Sequence, residues 1–267
     1  MNFLLMGKHG SNVDTIIFAN VDTVSQKVTL ISVPRDLYVN ERKINSVYAD
    51  YGIYEQVKWV EEVLGYKIHH FALIDMYVFR DVIDLMGGVD VTLEEALIDP
   101  SYKTCDAGVC STLYYEAGEH HLDGTEALRV ARSRYTTSDY SRAARQQLIL
   151  EAIQEKANSL GLGDADTVLS IISTVIGSIE TDIGFEDAIR YYFSYQNFWM
   201  NRGYVLSTGN VLETVRVPVD YVTSLMVDEC LDEENPSTCE ESYAIYTLSP
   251  LEDDWDVIRW YVENLLR

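Results

Sequence analysis

The chain has 267 residues, of which 47% are hydrophobic and 24% charged, a composition typical of a folded globular protein rather than a disordered one. Its net charge of −23 argues against non-specific nucleic-acid binding and against adsorption to anionic lipid, because both need widely spread positive charge. No run of about 18 apolar residues occurs, so no membrane-spanning segment is predicted within these residues.

The N-terminal part of the chain alternates between short apolar runs and amphipathic segments. Runs dense in Val, Ile and Leu are typical of strands covered on both faces, whereas apolar residues at helical spacing indicate helices. Predicted strands are Phe3–Met6, Thr15–Val21, Lys27–Val33, Phe71–Ile74 and Val89–Leu93, and predicted helices are Ile53–Leu64 and Met76–Met86. This alternation predicts an α/β fold with helices on the faces of the sheet.

The C-terminal part follows a predicted long loop, Glu94–Ala117, and is mainly helical. Predicted helices are Asp123–Ala131, Ser141–Ala157, Asp166–Ile179, Phe185–Trp199 and Trp255–Leu266, and predicted strands are Arg216–Val222 and Tyr243–Leu248. Neither an internal repeat nor a low-complexity linker is found. We therefore expect residues 1–267 to form a single domain, in which residues beyond about 200 could be a subdomain packed on the sheet edge.

The four cysteines fall into two close pairs, Cys105 with Cys110 and Cys230 with Cys239. Each pair encloses a short polar loop, and the CxxC or CxxH spacing of a metal site is missing. This pattern favours two local disulfides over one metal site. Disulfides in turn predict an oxidising location outside the cytosol.

Five arginines fall between Leu128 and Gln147, on a chain with only 20 basic residues. They are Arg129, Arg132, Arg134, Arg142 and Arg145. Arginine matches two phosphate oxygens at once and stays charged, so this cluster predicts a pocket for one anion. Arg132 and Arg134 would share a face of an extended segment, and Arg142 and Gln146 a face of a helix. The alternative is a set of surface ion pairs to the many carboxylates.

Two further polar residues lie at strand ends. Asp14 begins the second predicted strand, where it could hold a hard cation such as Mg²⁺, although a cap or turn role is the commoner one. Arg35 follows the third strand, at the edge of an α/β sheet where ligands bind. A salt bridge from Arg35 to Asp36 or to a nearby carboxylate is the alternative. The histidine pairs His69-His70 and His120-His121 do not suit chelation, because neighbours on a strand point to opposite faces.

An ordered series of motifs resembles the LytR–CpsA–Psr family over about residues 2–160. Any one of the motifs is weak, but their order and spacing together are specific. They are Asp14-Thr15, Ser32-Val33-Pro34-Arg35-Asp36, Lys43-Ile44-Asn45, Leu85-Met86-Gly87-Gly88-Val89-Asp90, Leu122-Asp123-Gly124-Thr125-Glu126-Ala127-Leu128, Arg132-Ser133-Arg134 and Arg142-Ala143-Ala144-Arg145-Gln146-Gln147.

The resemblance implies a three-layer α/β/α sandwich around a mixed central β-sheet, with residues 160–267 completing it. It implies an enzyme on the extracytoplasmic face of the bacterial cell membrane, attached through an N-terminal helix that is absent from this chain. Such an enzyme transfers a glycopolymer, for example teichoic acid, from a polyprenyl-pyrophosphate carrier to peptidoglycan. Nucleic acid is not expected as a partner.

The resemblance also implies roles for individual residues. Arg35, Arg132, Arg134, Arg142 and Gln146 would line the pyrophosphate site. Of these, Arg35, Arg132 and Arg134 would act in catalysis together with Asp14, which would bind Mg²⁺, while Asp139 would support the arginines. The prenyl tail would lie in an apolar tunnel, for which the Asp166–Ile179 helix and the sheet face are candidates.

The sequence departs from the family pattern around the metal site. The family usually has Gly-x-Asp after the first strand, whereas this chain has Gly7-Lys8-His9, and Asn12 replaces a usual arginine. These changes place Mg²⁺ in doubt, and Lys8 could supply positive charge instead. Two alternatives therefore stand beside transfer: a catalytically weak binder of polyprenyl pyrophosphate or polymer, and a lipid pyrophosphatase.

Overall fold

The computed structural model describes residues 1–106, 109–133, 139–159, 165–217 and 245–267. Its central sheet has six strands, which are β1 Asn2–His9, β2 Asn12–Asp22, β3 Lys27–Ser32, β6 His70–Asp75, β11 Glu180–Thr181 and β12 Trp199–Val205. Their order across the sheet is β11-β6-β1-β2-β3-β12. β6 runs parallel to β1, and β12 runs parallel to β3, while β2 and β11 are antiparallel to their neighbours. The sheet is therefore mixed, as predicted.

Short strands and helices surround this sheet. The remaining strands are β4 Tyr38–Val39, β5 Arg42–Lys43, β7 Val89–Leu93, β8 Leu97–Asp106, β9 Val109–Tyr115, β10 Gly118–Leu122, β13 Leu212–Val217 and β14 Ile245–Pro250. The helices of the described residues are α1 Val47–Tyr51, α2 Ile53–Leu64, α3 Met76–Leu85, α4 Gly124–Arg132, α5 Asp139–Ser159, α6 Ala165–Ser178, α7 Phe185–Tyr195 and α8 Trp255–Leu266. No helix among these has both the length and the apolar content needed to cross a membrane.

Alternation along the strands sends apolar side chains to both faces of the sheet. On one face, Leu4 and Phe18 pack with Val60 of α2 and Ile258 of α8. On the other face, Ile17 and Leu30 belong to a cluster that also contacts Leu150 of α5 and Tyr195 of α7. The three-layer α/β/α sandwich is confirmed by this arrangement.

Close contact between α3 and α4 depends on a glycine. A β-carbon at Gly124 would come within 2.0 Å of the Arg80 carbonyl oxygen, so only glycine fits there. The Gly124 backbone nitrogen donates to Asp84 of α3 at 2.7 Å, and a capping box between Asp123 and Glu126 begins the helix. These contacts fix α4, and with it the position of Arg132 at the end of that helix.

The prediction of a long loop at Glu94–Ala117, between β7 and β10, was wrong. Residues Leu97–Asp106 and Val109–Tyr115 pair as an antiparallel hairpin, in which Cys105 opposes Cys110. These two cysteines form a disulfide, as predicted. The sequence pattern hid the hairpin because most of its side chains are polar or exposed. Cys230 and Cys239 lie outside the described residues.

The edge strand β12 was also missed, since Trp199 was assigned to the end of a helix. The helix ends at Tyr195, and Trp199 begins a strand that pairs parallel with β3. Aromatic residues occur in helices and in strands, so the spacing of apolar residues did not distinguish a helix from a strand here. The predicted strand Arg216–Val222 lies four residues earlier in the structure, at Leu212–Val217, and its predicted end falls outside the described residues.

Candidate functional site

The candidate residues lie at one end of the sheet, where its parallel strands finish. β1, β6 and β3 all end there, and β2 begins there because it runs antiparallel to β1. Lys8 and His9 close β1, Asp14 lies near the start of β2, and Arg35 follows β3. Ligands bind at such carboxyl ends in open α/β sheets.

Asp14 and Arg35 form an ion pair across this edge. The Arg35 Nη1 atom donates to Asp14 Oδ1 at 2.6 Å, and both side chains are partly buried. Arg35 Nε also lies 3.5 Å from Asp36 Oδ2, while Lys43 Nζ donates to Asp36 at 2.7 Å. The alternative of a salt bridge from Arg35 to Asp36 or a nearby carboxylate is therefore observed, and Asp14 is the nearer of the two carboxylates.

The arginine stretch divides over several places. Arg132 at the end of α4 lines the cavity beside Asp14, as do Arg142 and Gln146 of α5. Arg132 Nη1 lies 3.3 Å from the Met76 sulfur, and Gln146 Nε2 donates to the Ala131 carbonyl at 3.3 Å. Four predicted residues, with Arg35, thus meet at one site.

Two predicted site residues, Arg134 and Asp139, lie wholly or partly outside the described part of the structure. Arg134 lies outside the described residues. Asp139 is the first residue of α5, and its side chain is likewise outside the description. Their roles at the pyrophosphate site stay predictions.

Arg145 and Gln147 have structural contacts that the sequence did not indicate. The buried Arg145 guanidinium donates to the carbonyls of Val130 and Ser133 at 3.0 and 2.6 Å. Burial lowers its pKa, and the nearby Arg142 charge adds to that effect. The fully buried Gln147 amide donates to Ser32 Oγ at 2.8 Å and to a β12 carbonyl, which fastens α5 to the sheet.

Two cavities meet at the candidate residues. The first, of about 260 Å³, lies between the sheet and helices α3, α4 and α5. Its apolar wall consists of Leu5, Met6, Ile17, Ile74, Met76, Phe79, Leu128, Ala131, Ile149 and Leu150. The second, of about 590 Å³, opens at the carboxyl ends of β3 and β12. Its polar wall includes Ser32, Ser207, Thr208, Asn210 and Thr214.

The two cavities share a polar boundary. Both are lined by Asp14, Thr15, Arg35, Arg142 and Gln146. Of the two candidates for the wall of an apolar tunnel, the sheet face lines the first cavity together with α3, α4 and α5, whereas the described residues of the Asp166–Ile179 helix do not. A long apolar segment attached to an anion, with polar groups beyond it, would fit this arrangement.

The donor set at this edge fits a divalent cation poorly. Among the described residues that line either cavity, Asp14 is the one carboxylate, and it is already paired with Arg35. The described residues hold no cluster of three His, Cys, Asp or Glu side chains suited to a metal. Mg²⁺ prefers carboxylates and phosphate oxygens, whereas Lys8 and three arginines line the first cavity together with this carboxylate.

Comparison with known proteins places this site in context. The profile of the LytR_cpsA_psr family matches residues 1–224. The chain is 28% identical to the polyisoprenyl-teichoic acid–peptidoglycan teichoic acid transferase TagU of Enterococcus faecalis, over 69% of this chain and 59% of that protein. It is 29% identical to the transferase TagT of Bacillus subtilis, over 68% of this chain and 58% of TagT. The chain thus matches less than two-thirds of each relative's length.

Solved structures show the same fold. The crystal structure of Bacillus subtilis TagV superposes with a TM-score of 0.72 at 22% identity, covering 100% of this chain and 96% of TagV. TagT bound to LIIa-WTA superposes with a TM-score of 0.67 at 21% identity, covering 99% of this chain and 89% of TagT.

Proposed function

Because the chain belongs to the LytR_cpsA_psr family, we propose that it transfers a glycopolymer from a polyprenyl-pyrophosphate carrier to a peptidoglycan acceptor. The observation that carries the proposal is the cationic boundary between an apolar and a polar cavity. The relatives named as teichoic acid transferases support this class of substrate. Teichoic acid is accordingly our first candidate polymer.

Each part of the carrier has a matching surface. The prenyl chain would enter the apolar cavity beside Leu128 and Ile149, where burial of apolar surface favours it. The pyrophosphate would lie against Arg35, Arg132 and Arg142, which present preorganised donors. The first sugars would then occupy the polar cavity near Ser207 and Asn210.

The reaction in this proposal is a phosphoryl transfer. An acceptor hydroxyl oxygen attacks the polymer-side phosphorus, the bridging P–O bond breaks, and prenyl monophosphate leaves. The arginines stabilise the negative charge that grows on the leaving phosphate. In this proposal Asp14, the described carboxylate common to both cavities, accepts the hydroxyl proton. No step needs a metal ion, although Mg²⁺ at Asp14 is the role that the family resemblance implied.

The proposed location is the extracytoplasmic face of the cell membrane, where peptidoglycan lies. The Cys105–Cys110 disulfide supports this location, because such bonds persist in oxidising surroundings. The acidic chain, with its net charge of −23, also fits a protein that binds lipid through a pocket rather than by charge.

The test is transfer by the purified chain from a polyprenyl-pyrophosphate-linked glycopolymer to a peptidoglycan oligomer. Arg132→Ala and Arg35→Ala should each lower transfer at least about 100-fold, the scale of losing one transition-state donor. Arg267→Ala is the matched control, because this exposed arginine pairs with Glu263 far from the cavity. Unchanged transfer in both site variants would overturn the proposal.

A second candidate is a binder that holds the carrier without turning it over. The described residues that line the site include one carboxylate, Asp14, which is already paired with Arg35. This favours a binder, because little is left to activate an acceptor. Tight carrier binding with no prenyl monophosphate released would identify this function. Release of prenyl monophosphate without attachment of polymer to peptidoglycan would instead identify a lipid pyrophosphatase.

A further inference from the structure

We infer that this site neutralises the pyrophosphate with side-chain cations alone, and that Lys8, held by Tyr48 and Glu180, supplies one of them in place of a divalent metal ion. The inference rests on the proposed function, from which it takes the pyrophosphate ligand. Its own content is the source of the positive charge at the end of β1.

The charges that line the apolar cavity are mostly positive. The described residues lining the apolar cavity include one carboxylate, Asp14, and four side chains that carry a positive charge. These four are Lys8, Arg35, Arg132 and Arg142. The four positive charges, less the one negative charge of Asp14, are greater in magnitude than the charge of a doubly negative pyrophosphate diester. Among the described residues, a divalent cation would therefore meet a positive lining with one carboxylate to hold it, and Coulomb repulsion would oppose its entry.

Lys8 lies at an irregular point of strand β1. The β1–β2 pairing changes register between Gly7 and Lys8, so the strand is irregular at the residue that enters the site. Such bulges redirect side chains and are common beside functional sites. Lys8 is half-buried and lines the cavity together with Asp14 and Arg35.

A chain of hydrogen bonds orders Lys8. Its Nζ donates to the Tyr48 hydroxyl at 3.2 Å and lies 5.1 Å from the centre of the Tyr48 ring. The Tyr48 hydroxyl in turn donates to Glu180 Oε2 at 2.8 Å. All donors point the same way along this chain, so each bond polarises the next.

Tyr48 is itself fixed from behind. Its backbone nitrogen donates to Oε1 of Gln56 at 3.1 Å, and the Gln56 side chain is fully buried in α2. A free lysine side chain would lose considerable rotamer entropy on binding an anion. Holding Lys8 beforehand reduces that loss, and the ammonium has three donors, so the bond to Tyr48 leaves capacity for phosphate oxygens.

The test measures binding of geranylgeranyl pyrophosphate to the purified chain by calorimetry, once with Mg²⁺ and once with EDTA. The wild type should bind with the same affinity, to within about twofold, in both conditions. Lys8→Met should weaken binding about tenfold or more, as expected for losing one charge-assisted contact, in EDTA and in Mg²⁺ alike. Lys8→Arg should restore most of that loss.

Lys58→Met is the matched control, because it removes the same charge from an exposed site on α2. Its affinity should stay at the wild-type value. Tyr48→Phe should weaken binding about threefold while its thermal unfolding stays close to that of the wild type, since it removes only the hydroxyl that orders Lys8. His9→Asp should make binding stronger with Mg²⁺ than with EDTA, because it adds a second carboxylate to the cavity.

The outcomes separate this inference from the proposed function. Loss of wild-type binding in EDTA, or an unchanged affinity in Lys8→Met, would overturn the inference while leaving the proposed function in place. A wild type that does not bind the ligand in either buffer, or an Arg132→Ala variant that binds normally, would count against the proposed function itself.

Discussion

The Arg145 guanidinium donates to the backbone carbonyl of Ser133 at 2.6 Å, across the junction between α4 and α5. A second bond runs to the Val130 carbonyl at 3.0 Å, so one side chain binds two carbonyls at the end of α4. Ser133 is anchored on its other side, where its hydroxyl donates to Asp99 at 2.8 Å. Arg145 therefore holds the end of α4, the helix that carries Arg132, and it does not line either cavity.

Replacing Arg145 with methionine should lower the free energy of unfolding by about 2–3 kcal/mol, because buried carbonyls lose a charged donor. Urea unfolding followed by circular dichroism measures this change. Arg267→Met, which breaks an exposed pair with Glu263 on α8, should cost less than about 0.5 kcal/mol. A normal unfolding midpoint for Arg145→Met combined with lost pyrophosphate binding would show that Arg145 acts at the site instead.

Leu128 forms part of the wall of the apolar cavity and is only half-buried in the structure. Leu128→Trp should fill space that the prenyl chain needs, and so weaken binding of geranylgeranyl pyrophosphate at least about tenfold. Inorganic pyrophosphate, which has no chain, should bind the variant as it binds the wild type. Equal weakening of both ligands would mean that the substitution disturbs the arginines rather than the apolar cavity.

The Cys105–Cys110 disulfide closes a very short loop at the tip of the β8–β9 hairpin. Replacing both cysteines with serine should cost at most about 2 kcal/mol, because a short loop gains little from cross-linking. Carrier binding should be unchanged, since neither cysteine lines a cavity among the described residues. Thermal unfolding and calorimetry of the double variant give the two values. A large loss of binding would show that the hairpin takes part in the site.

Tyr115 should make the protein sensitive to alkaline pH. Its burial, with a contribution from the Glu126 charge, raises the pKa of its hydroxyl to about 12. An unfolded tyrosine ionises near pH 10, so between about pH 10 and 12 only the unfolded chain loses this proton. The stabilisation is complete below pH 10 and is lost as the pH rises towards 12.

The effect of Tyr115 is isolated by the Tyr115→Phe variant, because the chain has 19 tyrosines that contribute to any alkaline transition. The melting temperature of the wild type should fall more steeply than that of Tyr115→Phe over this pH range. The difference should reach about 1–2 kcal/mol, which allows for the partial exposure of the ring. Parallel curves for the two proteins would show that Tyr115 is not buried in its neutral form.

Part of the site could be recognised from the sequence alone. Asp14, Arg35 and Arg132 each lie in a short motif, and the order of the motifs along the chain identified the family. The strand that carries Asp14 and the strand that precedes Arg35 were also predictable, because apolar runs bounded by polar turns are determined locally. Gly65 ends α2 in the left-handed conformation for the same local reason.

Other features depended on residues that are distant in the chain. Arg142 and Arg145 are three residues apart on one helix, yet Arg142 reaches the cavities and Arg145 reaches the carbonyls of α4. Only the packing of α4 against α5 decides this division. The same holds for β12, whose aromatic residues suit a helix as well as a strand until β3 offers its edge.

By itself, the sequence determined the α/β class, the principal strands and the residue types of a candidate anion site, because period and turn chemistry act over a few neighbours. The tertiary structure decided which arginines line the cavities and which hold the fold. It also brought Lys8, Tyr48 and Glu180 together, over separations of 40 and 132 residues. Contacts over such distances follow from how the layers pack, and no local pattern in the chain encodes them.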